Sequence, residues 1–135
     1  MASATTKKKI IESAKFKTMH EISLVRNIFR TLENEFSEDE LGKIKTINVK
    51  AGVLSNIEPI LMQSALEAVT ATDSPQYKHV KLAIETIPIK IVCESCHGTS
   101  GVQNYHFICG HCGKPTNNIV EGLELLIRDV EFEEI

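Results

Sequence analysis

The chain has 135 residues, enough for one hydrophobic core or a core plus a small metal-stapled lobe, and its 42% apolar content excludes general disorder. No stretch approaches the roughly 18 uninterrupted apolar residues of a membrane span, and no apolar run of secretory-signal length follows Lys7-Lys8-Lys9, so a cytoplasmic protein is expected. A formal charge of −3 speaks against a general nucleic-acid binder.

Residues 1–18 carry Lys7, Lys8, Lys9, Lys15 and Lys17 against Glu12 alone. They are expected to form a solvated basic extension with little core content, at most a nascent helix, on an acidic body. Thr18-x-x-Glu21 has the form of a capping box and predicts a helix starting near Met19. Its apolar positions Ile22, Val25, Phe29, Leu32 and Phe36 follow helical spacing until Ser37-Glu-Asp-Glu40 and Gly42 break it. Ile47, Val49, Ala51 and Val53 alternate with polar residues and predict a strand with one buried face.

Ser55-x-x-Glu58 with Pro59 announces a second helix, with Leu61, Ala65, Leu66 and Val69 inward and Asp73-Ser-Pro75 at its end. Val80, Leu82 and Ile84 alternate next. Ile87, Ile89 and Ile91 then alternate in the opposite phase, which at Pro88 means a bulge or a handover between sheets. Leu123, Leu125 and Ile127 form a last strand running into an acidic tail. That strand is expected to return to the first sheet, making the cysteine segment an insertion.

Cys93-x-x-Cys96 and Cys109-x-x-Cys112 stand twelve residues apart. Each pair puts two sulfurs on one tight turn, and two turns complete a tetrahedral four-cysteine zinc site with no open position. Gly113 follows the second pair, where a knuckle turn requires positive φ. Such a site is structural: metal binding is worth roughly 10–16 kcal/mol to a lobe too small for its own core. Cys93-Glu-Ser-Cys96-His97 also reads formally as a haem-attachment motif, and either pair as a redox dithiol, but both leave the other pair unexplained. His97 and His111 are expected as solvated knuckle residues, against a sharper alternative in which an imidazole tunes the site; His79 and His106 read as surface or packing residues. No nucleophile–base pairing and no glycine-rich phosphate loop argues for an enzyme.

Met19-His20-Glu21-Ile22-Ser23-Leu24, Gly52-Val-Leu-Ser55, Glu58-Pro59, the two cysteine pairs and Glu121-Gly-Leu-Glu-Leu125 together resemble the HypA family of nickel metallochaperones in NiFe-hydrogenase maturation. The resemblance covers 19–135 in order. It implies an α+β fold: a small α/β nickel-binding domain, two helices on a three-stranded mixed sheet, with an inserted zinc-ribbon lobe. The implied boundaries are an extension at 1–18, the nickel-binding domain at 19–90 and 115–135, and the ribbon at 91–114. It further implies structural zinc on Cys93, Cys96, Cys109 and Cys112. Nickel is implied as cargo on His20, with nitrogens of Met19 and Glu21 assisting, a donor set that suits square-planar Ni(II). The implied partners are a HypB-like GTPase and the NiFe-hydrogenase large subunit, with a possible homodimer and neither nucleic acid nor membrane. The alternative is a zinc-ribbon module binding nucleic acid or protein. Eighteen residues precede Met19, so it offers a peptide nitrogen where the family offers a free amine.

Overall fold

The computed structural model describes residues 5–10, 15–16 and 21–134. In chain order the elements are β1 (Thr5–Ile10), β2 (Lys15–Phe16), α1 (Glu21–Glu35), α2 (Glu38–Leu41), β3 (Ile44–Gly52), α3 (Pro59–Thr72), β4 (Lys81–Ile87), β5 (Lys90–Val92), β6 (Thr99–Gly101), β7 (Ile119–Glu121) and β8 (Leu125–Glu134). Short 3-10 turns at Val53–Ser55 and Pro75–Tyr77 flank α3. Among the described residues no helix is long and apolar enough to cross a membrane.

The larger sheet is mixed, as expected: β3 runs parallel to β4 and antiparallel to β8. A parallel pair needs a crossover, and α3 supplies it. Ile47, Val49 and Ala51 on β3 and Leu125, Ile127, Val130 and Phe132 on β8 turn one face to the helices. Leu24, Val25, Ile28, Phe29 and Leu32 of α1 meet Met62, Ala65, Leu66 and Val69 of α3 there, and the core closes between the helices and the sheet. Burying each such large side chain contributes roughly 1.5–3 kcal/mol.

The sheet has more than the expected three strands. β1 and β2 both pair antiparallel with β8, so the described residues of the basic extension are strand where at most a nascent helix was expected. The β-branched Thr5, Thr6 and Ile10 favour that state, and the second edge of β8 receives it. Thr18, half of the expected capping box, lies outside the described residues.

Helix patterning needs three corrections. In α1 the buried set is shifted by Leu24 and Ile28, and Ile22 is 43% exposed. In α3 Met62 turns inward and Leu61 is 47% exposed. Ser55 does not cap α3: its Oγ donates to the Gly52 carbonyl (2.7 Å), Glu58 stands at the cap without a side-chain bond, and Pro59 opens the helix. Ser37 and Glu40 form a capping box that the sequence reading did not single out, and the acidic run expected only to break α1 also forms α2.

The phase switch at Pro88 is a handover between sheets. β4 belongs to the large sheet, while β5 joins β6 and β7 in a separate three-stranded antiparallel sheet. The third strand of this small sheet, Ile119–Glu121, lies beyond the cysteine segment. β8 begins at Leu125, leaving Leu123 54% exposed, and runs through the acidic residues instead of ending before them.

Tyr77 fastens the 3-10 turn at Pro75–Tyr77 to α1. Its ring stacks on Phe29 at 4.4 Å, and its hydroxyl donates to Glu33 Oε2 at 3.1 Å. Burial, followed by the hydrogen bond and charge of Glu33, pushes the phenol up to about 12 from 10.0. Between those values the folded chain keeps a proton that the unfolded chain has lost, so this contribution is intact below pH 10 and is lost as pH rises towards 12. Tyr77→Phe is therefore expected to cost about 0.5–1.5 kcal/mol at neutral pH and to flatten the alkaline fall in stability, measured by urea unfolding across that range.

Candidate metal centre

Two knuckles of matching construction bring the four cysteines together. In the first, the His97 amide donates to the Cys93 carbonyl (2.9 Å) and the Cys93 amide to the Gly98 carbonyl (3.0 Å). In the second, the Gly113 amide donates to the Cys109 carbonyl (2.9 Å) and the Cys109 amide to the Lys114 carbonyl (2.9 Å). Both turns end in the left-handed region, Gly113 at φ 75 as expected and His97 at φ 60. A histidine in that conformation bears a strain that glycine does not. The tight first turn accepts it to bring its sulfurs to the ion.

The sulfurs converge. Cys93 Sγ lies 3.5 Å from Cys112 Sγ, Cys96 Sγ lies 3.5 Å from Cys109 Sγ, and one ligand atom from each of the four residues lies within 4.8 Å of the others. A tetrahedral ion with Zn–S bonds of about 2.3 Å requires S···S edges of about 3.8 Å, so the donor set fits zinc. Cys93 and Cys109 are buried, while Cys96 and Cys112 face outward. With four thiolates at the corners no position is left for water or substrate, which makes the centre structural in kind.

The knuckle amides prepare the thiolates. The amides of Cys112 and His111 hold the Cys109 thiol down at about 6, and those of Cys96 and Ser95 lower Cys93. The amide of Gly98 lowers Cys96 as well, but its bond with Cys109 Sγ and its desolvation win, and it rises to about 11. Each amide–sulfur bond favours the charged form that a metal needs.

His111 is more than a solvated knuckle residue. Its Nε2 donates to the Thr99 carbonyl at 3.1 Å, and its ring lies where a side chain on Gly98 would be, 2.5 Å from that imagined Cβ. It ties the second knuckle to the first strand beyond the other. His79 and His106 are exposed, in keeping with surface roles.

The ribbon joins the larger sheet through two motifs seen in the sequence. The Gly52 amide donates to the Glu124 carbonyl (2.7 Å) and the Leu54 amide to the Gly122 carbonyl (2.8 Å). A Cβ on Gly52 would stand 2.2 Å from the carbonyl of Gly122, and Gly122 itself sits at φ 108 against Ile89. Neither position admits a side chain. Gly52-Val-Leu-Ser55 and Glu121-Gly-Leu-Glu-Leu125 are thus two halves of one joint, which sequence alone did not disclose.

Of the expected nickel residues, Glu21 lies half-buried in the first turn of α1. Met19 and His20 lie outside the described residues.

A family model described as hydrogenase/urease nickel incorporation, metallochaperone, HypA, matches residues 19–132. The chain belongs to the HypA family. The hydrogenase maturation factor HypA of Moorella thermoacetica is 31% identical over 115 residues, 85% of this chain and 100% of the relative. That of Desulfitobacterium hafniense is 32% identical over 116 residues, 86% of this chain and 100% of the relative. The solution structure of the Ni metallochaperone HypA from Helicobacter pylori shares the fold, with a TM-score of 0.58 at 23% identity over 84% of this chain and 97% of that one. The α+β architecture and the family read from the sequence are thereby borne out, and a HypA four-cysteine cluster fits zinc.

Cys96→Ser is expected to remove the metal and with it roughly 10–16 kcal/mol of metal-coupled folding, so that residues 92–114 lose order while both long helices persist. Metal analysis together with hydrogen exchange checks this. A four-cysteine segment that stayed ordered without metal would contradict it. Zinc affinity should also fall on acidification, as protons compete for the thiolates.

Proposed function

We propose that the protein is a non-catalytic nickel carrier: it holds Ni(II) at the start of α1, holds zinc permanently in the ribbon, and hands nickel on during NiFe-hydrogenase maturation. The observation that carries this reading is the family match from residue 19, beginning at Met19-His20-Glu21. His20 is the principal nickel ligand in this proposal, assisted by nitrogens of Met19 and Glu21. Amides in a first helical turn have no helical partner four residues back, so a metal held by the nitrogen of Glu21 would break no hydrogen bond within the helix. Imidazole with adjacent amide nitrogens suits Ni(II).

The division of labour follows the parts of the chain: extension 1–18, nickel domain 19–90 with 115–135, and ribbon 91–114. A cytoplasmic location, a HypB-like GTPase and the hydrogenase large subunit as partners, and a loose homodimer complete the proposal. Ile22 and Leu61, both partly exposed beside Glu21, give the GTPase an apolar surface next to the nickel residues. The nucleic-acid alternative is not favoured, since the family match concerns nickel incorporation.

His20→Ala should abolish high-affinity nickel binding and leave zinc content unchanged. Stability should move by less than about 0.5 kcal/mol. Calorimetry giving the parent nickel affinity in the variant would remove His20 as the main ligand. Deleting residues 1–18 converts Met19 from a peptide nitrogen to a free amine, with an ordinary pKa of about 7.7–8.0. Nickel should then bind more tightly and its spectrum shift towards a square-planar form; identical affinity and spectra would show that the terminal amine is no ligand.

A further inference from the structure

β8 has neighbours on both sides, of different origin. β3 lies within the part of the chain that the family model matches, whereas β1 and β2 precede its start at residue 19. Thr5–Ile10 runs opposite Glu134–Asp129, and Lys15 and Phe16 stand opposite Leu126 and Leu125. The two paired stretches of β8 are separated by Ile127 and Arg128. At the same place β8 slips against β3, since Asn48 pairs with Asp129 but Val49 with Ile127. Arg128 is thus the extra residue of a bulge against β3, and β1 and β2 pair with the opposite edge of β8 on either side of it.

The edge and its occupant have opposite charge. The stretch of β8 paired with β1 contains Asp129, Glu131, Glu133 and Glu134, and β1 brings Lys7, Lys8 and Lys9, of which Lys8 stands in register with Glu131 and Lys7 and Lys9 with Phe132 and Val130 on either side of it. The acids at the centre are held in place from the β3 side. Asn48 Nδ2 donates to Asp129 Oδ1 (2.5 Å) and Glu131 Oε2 (3.2 Å), and Arg128 Nε donates to Asp129 Oδ2 (3.1 Å). The relative from Moorella thermoacetica is matched along its full length by 115 residues, and the family model needs nothing before residue 19. The fold therefore closes without the segment that covers this edge.

An uncovered edge offers a row of main-chain donors and acceptors to any extended chain, and the side chains beside it choose among candidates. We propose that the outer edge of β8 is a strand-acceptor site for an extended, lysine-rich segment of a partner protein, and that the chain's own Lys7–Lys9 segment occupies it as an internal competitor. Main-chain pairing supplies the grip and the acidic row selects for basic strands. Because the competitor is tethered, it acts at an effective concentration on the order of millimolar, and only its release opens the edge.

The test uses a fluorescent peptide with the sequence of residues 4–16, an unrelated peptide of alternating threonine and lysine, and the first peptide with its three adjacent lysines changed to glutamate. Binding is read by anisotropy against the full chain, residues 19–135, and the full chain carrying K7E/K8E/K9E, each shown to be folded by circular dichroism. Both basic peptides should bind 19–135 and the K7E/K8E/K9E chain at least about tenfold more tightly than the parent, with binding weakened by salt. Glu131→Lys with Glu133→Lys in 19–135 should lower that affinity about tenfold, and the acidic peptide should not bind. Absence of binding to the folded opened chains overturns the proposal, as does equal binding to all three. Binding of the chain's own peptide but not the unrelated one overturns the partner class, leaving an edge dedicated to the arm.

Discussion

The pairing of β3 with β8 is the constraint on which the rest of the molecule depends. Asn48 reaches Asp129 across 81 positions of sequence, and everything between must leave the large sheet and return to it. α3 and β4 satisfy that requirement by a parallel crossover. The ribbon satisfies it differently, by leaving at Pro88 and coming back at Gly122, and its closure brings β8 to the register of β3. Loop-closure entropy grows slowly with length, so an insertion of this size is tolerated provided its two ends are held together. Here they are held by the Gly52–Gly122 contact and two main-chain hydrogen bonds, with no side chain between the backbones.

That joint explains why the family-like motifs look uninformative one at a time. Gly52 resembles a strand end, and Gly122 resembles a turn glycine. Each has its identity because of the other. Serine at 55 then turns back onto the Gly52 carbonyl and stabilises the 3-10 turn that leads into α3, instead of capping the helix as its spacing suggests. A sequence reading sees intervals along the chain. It does not see which backbone passes within contact distance of which, and glycines chosen for close approach are its blind spot.

Other features were legible for the opposite reason, that their chemistry is local. Two C-x-x-C turns prescribe their own knuckles, and the alternation of Ile47, Val49 and Ala51 prescribes a half-buried strand. The reversal of phase at Pro88 announced a bulge or a change of sheet, and the change of sheet is what the strand pairing shows, with Ile89 and Ile91 buried beyond it. The helix faces were read one position out at Ile22 and Leu61. Both are apolar residues at helical spacing that the fold leaves partly exposed, and periodicity cannot tell a core residue from an exposed one of the same kind. The extension was misread because edge pairing is decided by the partner strand: a lysine-rich segment is a solvated tail until an acidic strand offers it a register.

The four-cysteine site and the nickel site proposed above make opposite demands. A closed set of four thiolates, with knuckle amides directed at the sulfurs, would hold an ion by completing its coordination and leave a partner no position from which to take it. Transfer requires the reverse, few ligands on a surface that a second protein can approach. The cysteines lie in the part of the chain that forms the small sheet, while Glu21 opens α1 against the large one. The connection between them still runs through one place. Gly52 ends the strand beside β8, Gly122 ends the ribbon, and Leu125, three residues further on, pairs with Ala51 on one side and Phe16 on the other. From Phe16 only four residues lead to Glu21. The joint is thus the place where the end of the ribbon, the end of β3 and the last described residues before α1 are brought together by main-chain pairing.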